Sequence, residues 1–593
     1  MKRTAARQLL AQRRNTRLSS PAKALYAALF VALFAIPLAA WARATADIVR
    51  LPAVTSWPVG LAAASSGILL LLLGQGIFRL LPHPIYTGFP MLCVGISIAA
   101  GSASGLWLIS PIVALGCAAM VLGYERRHRN ERFDAIPRVR LPAAGTSSPA
   151  GLERVACYLF VLLPWLVMYE AVVAMGTPPD AVSGALPFEQ RLPVLEWPEI
   201  FYFSTYVLTA LAPLFARTRS DLRTFSARGL AAMLVAFPLY LALPLIAPPR
   251  PFTPHTVLGR LLLWDRRLDS PGAAFPSFHV IWAVLTAQVF SRRWPRLAWL
   301  FHGWALMVAA SCIATGQHSL LDVLGGAATA WLVGRGPALW QAARTQAQCS
   351  GNSRREWRIG PVRFFNGGIY VFAGASVGMW IAISMAGPGH QAPVLVSAGL
   401  IVMGAALWAR FVDGSPRFYG GLLGGVLGAL SAPLFGTSPW LALAALSVGG
   451  PWAQAIGRLG YRLTARIGVP LHPTPVYSIF WNALVALAVT RLWTLSAPLH
   501  LIAGIYFVLT GLGRFVEEAW RGEARAPMLW GQWAAAASVI GGALMTALGN
   551  SAPAPAPLFA WHPLLSALVF GLAVSMAMGV DFPNWQRRFS RLV

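Results

Sequence analysis

Two short stretches place ionisable groups at the ends of apolar runs: Phe275-Pro276-Ser277-Phe278-His279 and Thr315-Gly316-Gln317-His318-Ser319-Leu320-Leu321-Asp322. Ionisable groups near a bilayer core are costly and by default mark function. His318 and Asp322 are four apart, so on a helix they share one face. A carboxylate placed there fixes an imidazole in one tautomer and raises its basicity, and an imidazole so held is a nucleophile toward phosphorus. His279 follows Pro276-Ser277 at an expected helix start, where free N–H groups and the helix dipole suit a phosphate.

The elements that must carry these groups are membrane helices. The chain has 593 residues, 57% hydrophobic and only 11% charged, and long apolar runs recur along it. Several domains are expected at this length, and the composition predicts an all-α, polytopic transmembrane protein of about 18 spans in three modules. The net charge of +27 would suggest nucleic acid in a soluble protein. Here the arginines cluster in short loops between apolar runs, the pattern of cytoplasmic loops, which excludes nucleic acid as a partner. The five cysteines show no metal or redox spacing, and neither metal nor cofactor is expected.

In chain order the layout reads as a basic cytoplasmic tail (1–22), a first membrane module with four runs (23–140), a Pro/Gly/Ser linker (141–154), a six-run module (155–340), a basic linker (341–363) and an eight-run module (364–593). The run from Lys23 to Ala42 is read as an uncleaved anchor, with a cleaved signal peptide as the rival. Placing the basic loops 125–140, 216–228, 291–296 and 341–363 in the cytoplasm puts Arg250, the 250–275 loop, His279 and His318 together on the opposite face.

The central motifs resemble the type 2 phosphatidic acid phosphatase family, over roughly residues 150–345. Arg250-Pro251 matches the end of its basic stretch, Pro276-Ser277-Phe278-His279 its second motif, and Ser311, His318 and Asp322 its third. The family's lysine falls on Leu243 and the arginine after Ser311 on Cys312, with Arg266 and Arg267 nearby as substitutes. The resemblance implies that His318 attacks phosphorus, Asp322 orients it, and His279 protonates the leaving group and then activates water. Arg250, Arg266 or Arg267 and backbone amides near Ser277 would hold the phosphate oxygens. The implied setting is a bacterial inner membrane with the site facing the periplasm.

The last module carries Gly457-Arg458-Leu459-Gly460, His472-Pro473-Thr474-Pro475-Val476-Tyr477, Arg514-Phe515-Val516-Glu517-Glu518-Ala519-Trp520-Arg521 and Gly531-Gln532 in that order. These look like prolipoprotein diacylglyceryl transferase, with Tyr419 where that family has a histidine. The resemblance implies an anionic-lipid pocket built from Arg458, Arg514, Glu518, Arg521, His472, Tyr477 and Tyr419. Arg514, Glu518 and Arg521 fall on one helix face, and arginine binds phosphate bidentately. An internal ion-pair network with Glu518 is the structural alternative. The family's first end lies outside, which conflicts with eight runs that start from a cytoplasmic linker.

In the first module His83, Tyr86 and Glu125 resemble the methyl-donor motifs of isoprenylcysteine carboxyl methyltransferases and phospholipid methyltransferases, with Pro82 and Arg126 at two of the family's charged positions. An arginine in place of a carboxylate opposes binding of a cationic donor, so a relict scaffold is favoured there. The partners implied by all three modules are membrane lipids: phosphatidylglycerol, phosphatidic acid or a polyprenyl phosphate. Fusion in one chain suggests that the phosphatase removes glycerol phosphate released by the transferase. Two other readings stay open, a transferase with an inert phosphatase module and a non-enzymatic lipid transporter or scaffold.

Overall fold

The computed structural model describes residues 20–72, 81, 83–125, 139–352, 356–359, 362–411, 417–460, 474–520, 530–559 and 561–581. The chain divides into two compact units, Met1–Arg138 and Val139–Val593. Both are helical, as a bilayer demands of a backbone that must satisfy its own hydrogen bonds.

The first unit holds α1 (Ser20–Ala44), α2 (Trp57–Leu72), α3 (Pro84–Ala99) and α4 (Gly105–Glu125), the last with a π-helical turn at each end. Helices α2 and α3 touch through small residues: a Cβ on Gly60 would lie 2.6 Å from the Ala99 amide, and one on Gly88 2.7 Å from the Gly67 carbonyl. Close backbone approach of this kind is how membrane helices gain packing when lipid supplies no hydrophobic drive.

The second unit begins with α5 (Gly151–Met175), α6 (Glu199–Phe215), α7 (Arg219–Ala242), α8 (Val257–Leu268), α9 (Phe278–Arg293), α10 (Ala298–Ala314) and α11 (Leu320–Gly334). Helix α9 is the hub, with 11 of its 16 residues buried, packed by α6, α7, α10 and α11. Trp282, 2% exposed, fills the notch left by Gly229 on α7. At the end of the bundle where α9 begins, β1 (Val182–Ser183) pairs in parallel with β2 (Leu245–Ile246), tying two long connections together. The 250–275 stretch, expected as a loop, contains the amphipathic α8. Thr256 caps its first turn, accepting from the Gly259 amide at 3.0 Å, and Glu196 accepts from the His255 and Thr256 amides at 2.7 and 2.8 Å.

After α11 come α12 (Gly336–Asn352) and the strands β3 (Glu356–Ile359) and β4 (Val362–Phe365), antiparallel to each other. The described residues of the region expected as a basic linker are thus helix and strand. Eight helices follow: α13 (Asn366–Ala386), α14 (Gln391–Phe411), α15 (Arg417–Ser431), α16 (Pro439–Gly457), α17 (Thr474–Thr494), α18 (Leu499–Trp520), α19 (Trp530–Leu548) and α20 (His562–Gly579), then β5 (Val580–Asp581), which pairs with β4. Eight runs therefore correspond to eight helices. Among the described residues ten helices are long and apolar enough to cross a membrane, with six shorter apolar ones beside them.

Glycines again set the closest contacts. A Cβ on Gly449 of α16 would fall 2.1 Å from the Gly378 carbonyl of α13, a backbone atom that cannot rotate away. Gly449→Ala should therefore lower stability by about 1–3 kcal/mol, the usual cost of overpacking. Gly541→Ala on α19, with nothing within 4 Å of the added carbon, should not. Thermal unfolding of the two variants in detergent distinguishes them.

Candidate functional site

His279 and His318 meet at one end of the α6–α11 bundle. His279 is in the first turn of α9, whose Ser277 N-cap makes no side-chain hydrogen bond to that turn. His318 is in the turn between α10 and α11, where Gly316 adopts φ +69°, a conformation that suits glycine. A Cβ there would also press on the Arg250 side chain at 2.8 Å. The His318 Nε2 and His279 Nδ1 atoms lie 3.4 Å apart. Tyr202 of α6 stacks on His279 with ring centroids 3.9 Å apart, and its hydroxyl is 3.5 Å from His318 Nε2. Tyr206, one turn on, meets His279 edge-on at 5.1 Å.

Asp322 does two things at once. Its Oδ2 accepts the Ser319 amide at 2.7 Å, and its own amide donates to the Ser319 hydroxyl at 3.3 Å, a capping box that starts α11. The same Oδ2 stands 3.8 Å from His318 Nδ1, an ion-pair rather than a hydrogen-bond distance. His279 Nε2, His318 Nδ1 and Asp322 Oδ1 are buried without a hydrogen-bond partner. Buried polar atoms are rarely left so, and each calls for an explanation. A cavity of about 330 Å³ opens beside them, lined by His318, Ser319, Gly316, Arg250, Glu189 and the prolines 248, 249 and 251.

The expected phosphate-binding cations are placed differently from the sequence reading. Arg250 donates to the carbonyls of Leu192 (2.6 Å), Glu189 (3.2 Å), Ile313 and Ala314 (3.5 Å). Its terminal nitrogens thus clamp the two connections that wall the cavity, and main-chain oxygens take up the fork that a phosphate would need. Arg266 donates to the carbonyls of Arg250, at 2.7 Å, and Thr315, so it buttresses the same clamp. Arg267 is exposed on the far side of α8. Ser277 is fully buried, its hydroxyl 4.0 Å from the Cys312 thiol. Cys312, where an arginine was expected, packs dry against Tyr202, Val280 and Val323. Leu243 is partly exposed at the end of α7.

Sequence reasoning missed the acidic wall behind the histidines. Glu199 of α6 is fully buried and accepts from the Gln317 side chain at 3.4 Å. Asp269 accepts from the Tyr169 hydroxyl at 2.8 Å. Asp265 stands beside Gln317 and Tyr206. Glu189, 4% exposed, accepts from the first amide of α11, Leu320, at 2.6 Å. The signal was present: Glu199, Tyr202 and Tyr206 form a polar stripe on an otherwise apolar helix, and Asp265 and Asp269 are four apart.

Burial, reinforced by the Asp269 charge and opposed by hydrogen bonds from Gln317 and Tyr206, pushes the Asp265 carboxyl up to about 6. An acid whose pKa is raised on folding stabilises the fold fully below its unfolded value, near 3.9. That contribution, roughly 2–3 kcal/mol, is lost as pH rises through 6. The parent's melting temperature should therefore fall between pH 4 and 7 by more than that of Asp265→Asn, measured in detergent across that range.

A second polar cluster lies at one end of the C-terminal bundle. Arg458 at the end of α16 donates to Glu517 at 2.7 Å, and Arg514 contacts the other oxygen of Glu517 at 3.2 Å. The Arg514 guanidinium also covers the Phe418 ring at 4.0 Å. The carboxylate that bridges the two arginines is Glu517, whereas the ion-pair alternative read from the sequence had named Glu518. Both glutamates are one turn from Arg514, and the i+3 position makes the bridge. Glu518 is buried against Gly531, and the Tyr419 hydroxyl donates to the Gly531 carbonyl at 2.7 Å. Tyr477 stacks on Trp340 of α12 at 5.6 Å. His472 and Arg521 lie outside the described residues. In the first unit, His83 Nδ1 is 3.8 Å from Glu125 Oε2, and Tyr86 lies beside the same carboxylate.

Comparison with known proteins gives two findings. Residues 188–334 match the family model of the PAP2 superfamily, and residues 408–548 that of prolipoprotein diacylglyceryl transferase. The chain carries one domain of each kind. No curated protein and no solved structure matched.

Proposed function

We propose, from a multi-pass membrane chain that joins a PAP2 superfamily domain to a prolipoprotein diacylglyceryl transferase domain, that the histidine pair hydrolyses or transfers the phosphate of a lipid phosphate through a phosphohistidine. The observation that carries the reading is the 3.4 Å approach of His318 Nε2 to His279 Nδ1 beside a cavity. Residues 39 apart in sequence meet there with unpaired buried atoms.

In this reading His318 Nε2 forms a bond to phosphorus while the bond to the leaving oxygen breaks, and His279 supplies that oxygen's proton. His279 then takes a proton from water as the water oxygen attacks the phosphohistidine, freeing His318 and inorganic phosphate. Asp322 stabilises the charged imidazole of His318. Donor and acceptor must flank one phosphorus, roughly 6–7 Å apart with contacts of about 3 Å on each side, so the two rings part when substrate enters. The first-turn amides of α9 are the donors this reading assigns to the developing charge, with Arg266, held against the Arg250 and Thr315 carbonyls, adding a positive field.

The C-terminal domain, in the same reading, holds the head group of an anionic lipid such as phosphatidylglycerol at the Arg458–Glu517–Arg514 cluster, whose guanidinium groups are of the kind that binds phosphate. The polar groups of the first unit, His83, Tyr86 and Glu125, are read as a structural cluster. The setting proposed is a bacterial inner membrane with the histidine pair facing the periplasm, because the basic turns around Arg217, Arg292 and Arg335 lie at the other end of that bundle. The engaged fork of Arg250 favours one rival, a transferase whose phosphatase domain is inert.

The test is to quench turnover of radiolabelled phosphatidic acid, phosphatidylglycerophosphate and polyprenyl diphosphate by the purified protein. An acid-labile, base-stable label on the peptide containing His318 supports the reading. No adduct, and phosphate release no greater in the parent than in His318→Ala, supports the rival.

A further inference from the structure

The two domains are tied at both ends of a single helix, and the ties fix which side each site faces. Helix α17 has 21 residues, about 31 Å at 1.5 Å per residue, the thickness of a hydrocarbon core. Near its start, the Ser478 hydroxyl lies 3.5 Å from Glu517 Oε2, and Tyr477 stacks on Trp340. Near its end, Arg491 makes a two-pronged ion pair with Asp180, one contact at 2.6 Å. Asp180 precedes β1 by two residues, and Gly184 just after β1 is against Ser319. The far end of α17 is therefore level with the histidine pair. Trp340, by contrast, is reached only after α11 has run its 15 residues away from His318. The triad is level with Trp340.

We infer that the C-terminal cluster draws an anionic phospholipid from the leaflet beside the basic turns, opposite the leaflet that presents phosphate esters to His318, so that one chain works on two lipid pools. This rests on the reading of the triad as a head-group site. It also replaces the expectation that a phosphatase beside the transferase clears its product: glycerol phosphate released at one end would have to cross the hydrocarbon core, about 30 Å thick, to reach the other.

Two measurements keep the inference and its premise apart. In a chain with its native cysteines replaced, single reporters are placed at Gln190, beside the cavity, and at Leu459, exposed next to Arg458. Membrane-impermeant maleimide on vesicles of defined orientation should label Gln190→Cys from one side only and Leu459→Cys from the other only. Labelling of both from the same side overturns the inference and leaves the head-group reading intact. Separately, photoreactive phosphatidylglycerol is exchanged into the outer leaflet of each vesicle type. It should crosslink to the C-terminal domain only where Leu459→Cys is the accessible reporter. Crosslinking only where Gln190→Cys is accessible again overturns the inference. Crosslinking in neither orientation removes the head-group premise, and with it the statement about lipid pools.

Discussion

His318→Ala should cut phosphate release from lipid phosphates by roughly a thousandfold or more, since removal of a nucleophile eliminates the covalent route rather than weakening it. His279→Ala should cost roughly 10²- to 10⁴-fold, the range for a general acid, and its loss should be partly recovered with a substrate whose leaving group needs no proton. The recovery separates the two roles: an acid becomes dispensable with a good leaving group, a nucleophile does not. The double variant should be no slower than His318→Ala alone, because the groups act as a unit. Asp322→Asn keeps acceptor and shape for the Ser319 cap, so its effect should fall on turnover and not on melting temperature. Initial rates with all four variants, alongside melting curves, check this. A parent and His318→Ala with equal rates would end the phosphohistidine account.

Glu517→Ala should be among the most destabilising single changes in the C-terminal domain. It removes a carboxylate, about 9% exposed, that both Arg458 and Arg514 contact. Breaking a buried ion pair from one side costs about 3–5 kcal/mol, because the opposite charge stays buried. Replacing Arg458, Glu517 and Arg514 together by methionine should recover much of that loss, since a buried ionic set exchanged as a whole for apolar side chains is often neutral. Melting temperatures of Glu517→Ala, of each single methionine variant and of the combined variant make the comparison. If Glu517→Ala melts like the parent, the triad is a solvated surface pair and its depth has been misjudged.

How much of this could be read from residues alone depends on what kind of partner each group has. The helices were legible because apolar length is written in the sequence. Helix α8 was not, because its leucines share the stretch with Arg260, Asp265, Arg266 and Arg267 and its mean hydropathy resembles a loop. His279, His318 and Asp322 stood out as polar groups at apolar ends. Tyr202 and Tyr206 did not, because aromatic residues near a helix end read as an interface belt. The clamp made by Arg250 was illegible for another reason. Arg250 is bound by carbonyl oxygens, and every residue carries one, so no spacing of side chains announces such a clamp. Glu517 and Glu518 are neighbours at i+3 and i+4 from Arg514, and only helix phase against Arg458 chooses between them.

Glu189 gives the cavity a property of its own. Its carboxylate is fastened to the Leu320 amide at the head of α11 and to the Leu186 amide, each at 2.6 Å, and it forms part of the cavity wall. A helix head is where a free anion would otherwise lodge. The berth is already taken by a tethered guest that never diffuses away. On the proposed mechanism, a dianion freed at His318 would find a carboxylate next to it and no vacant mooring, a wall that favours departure over lingering.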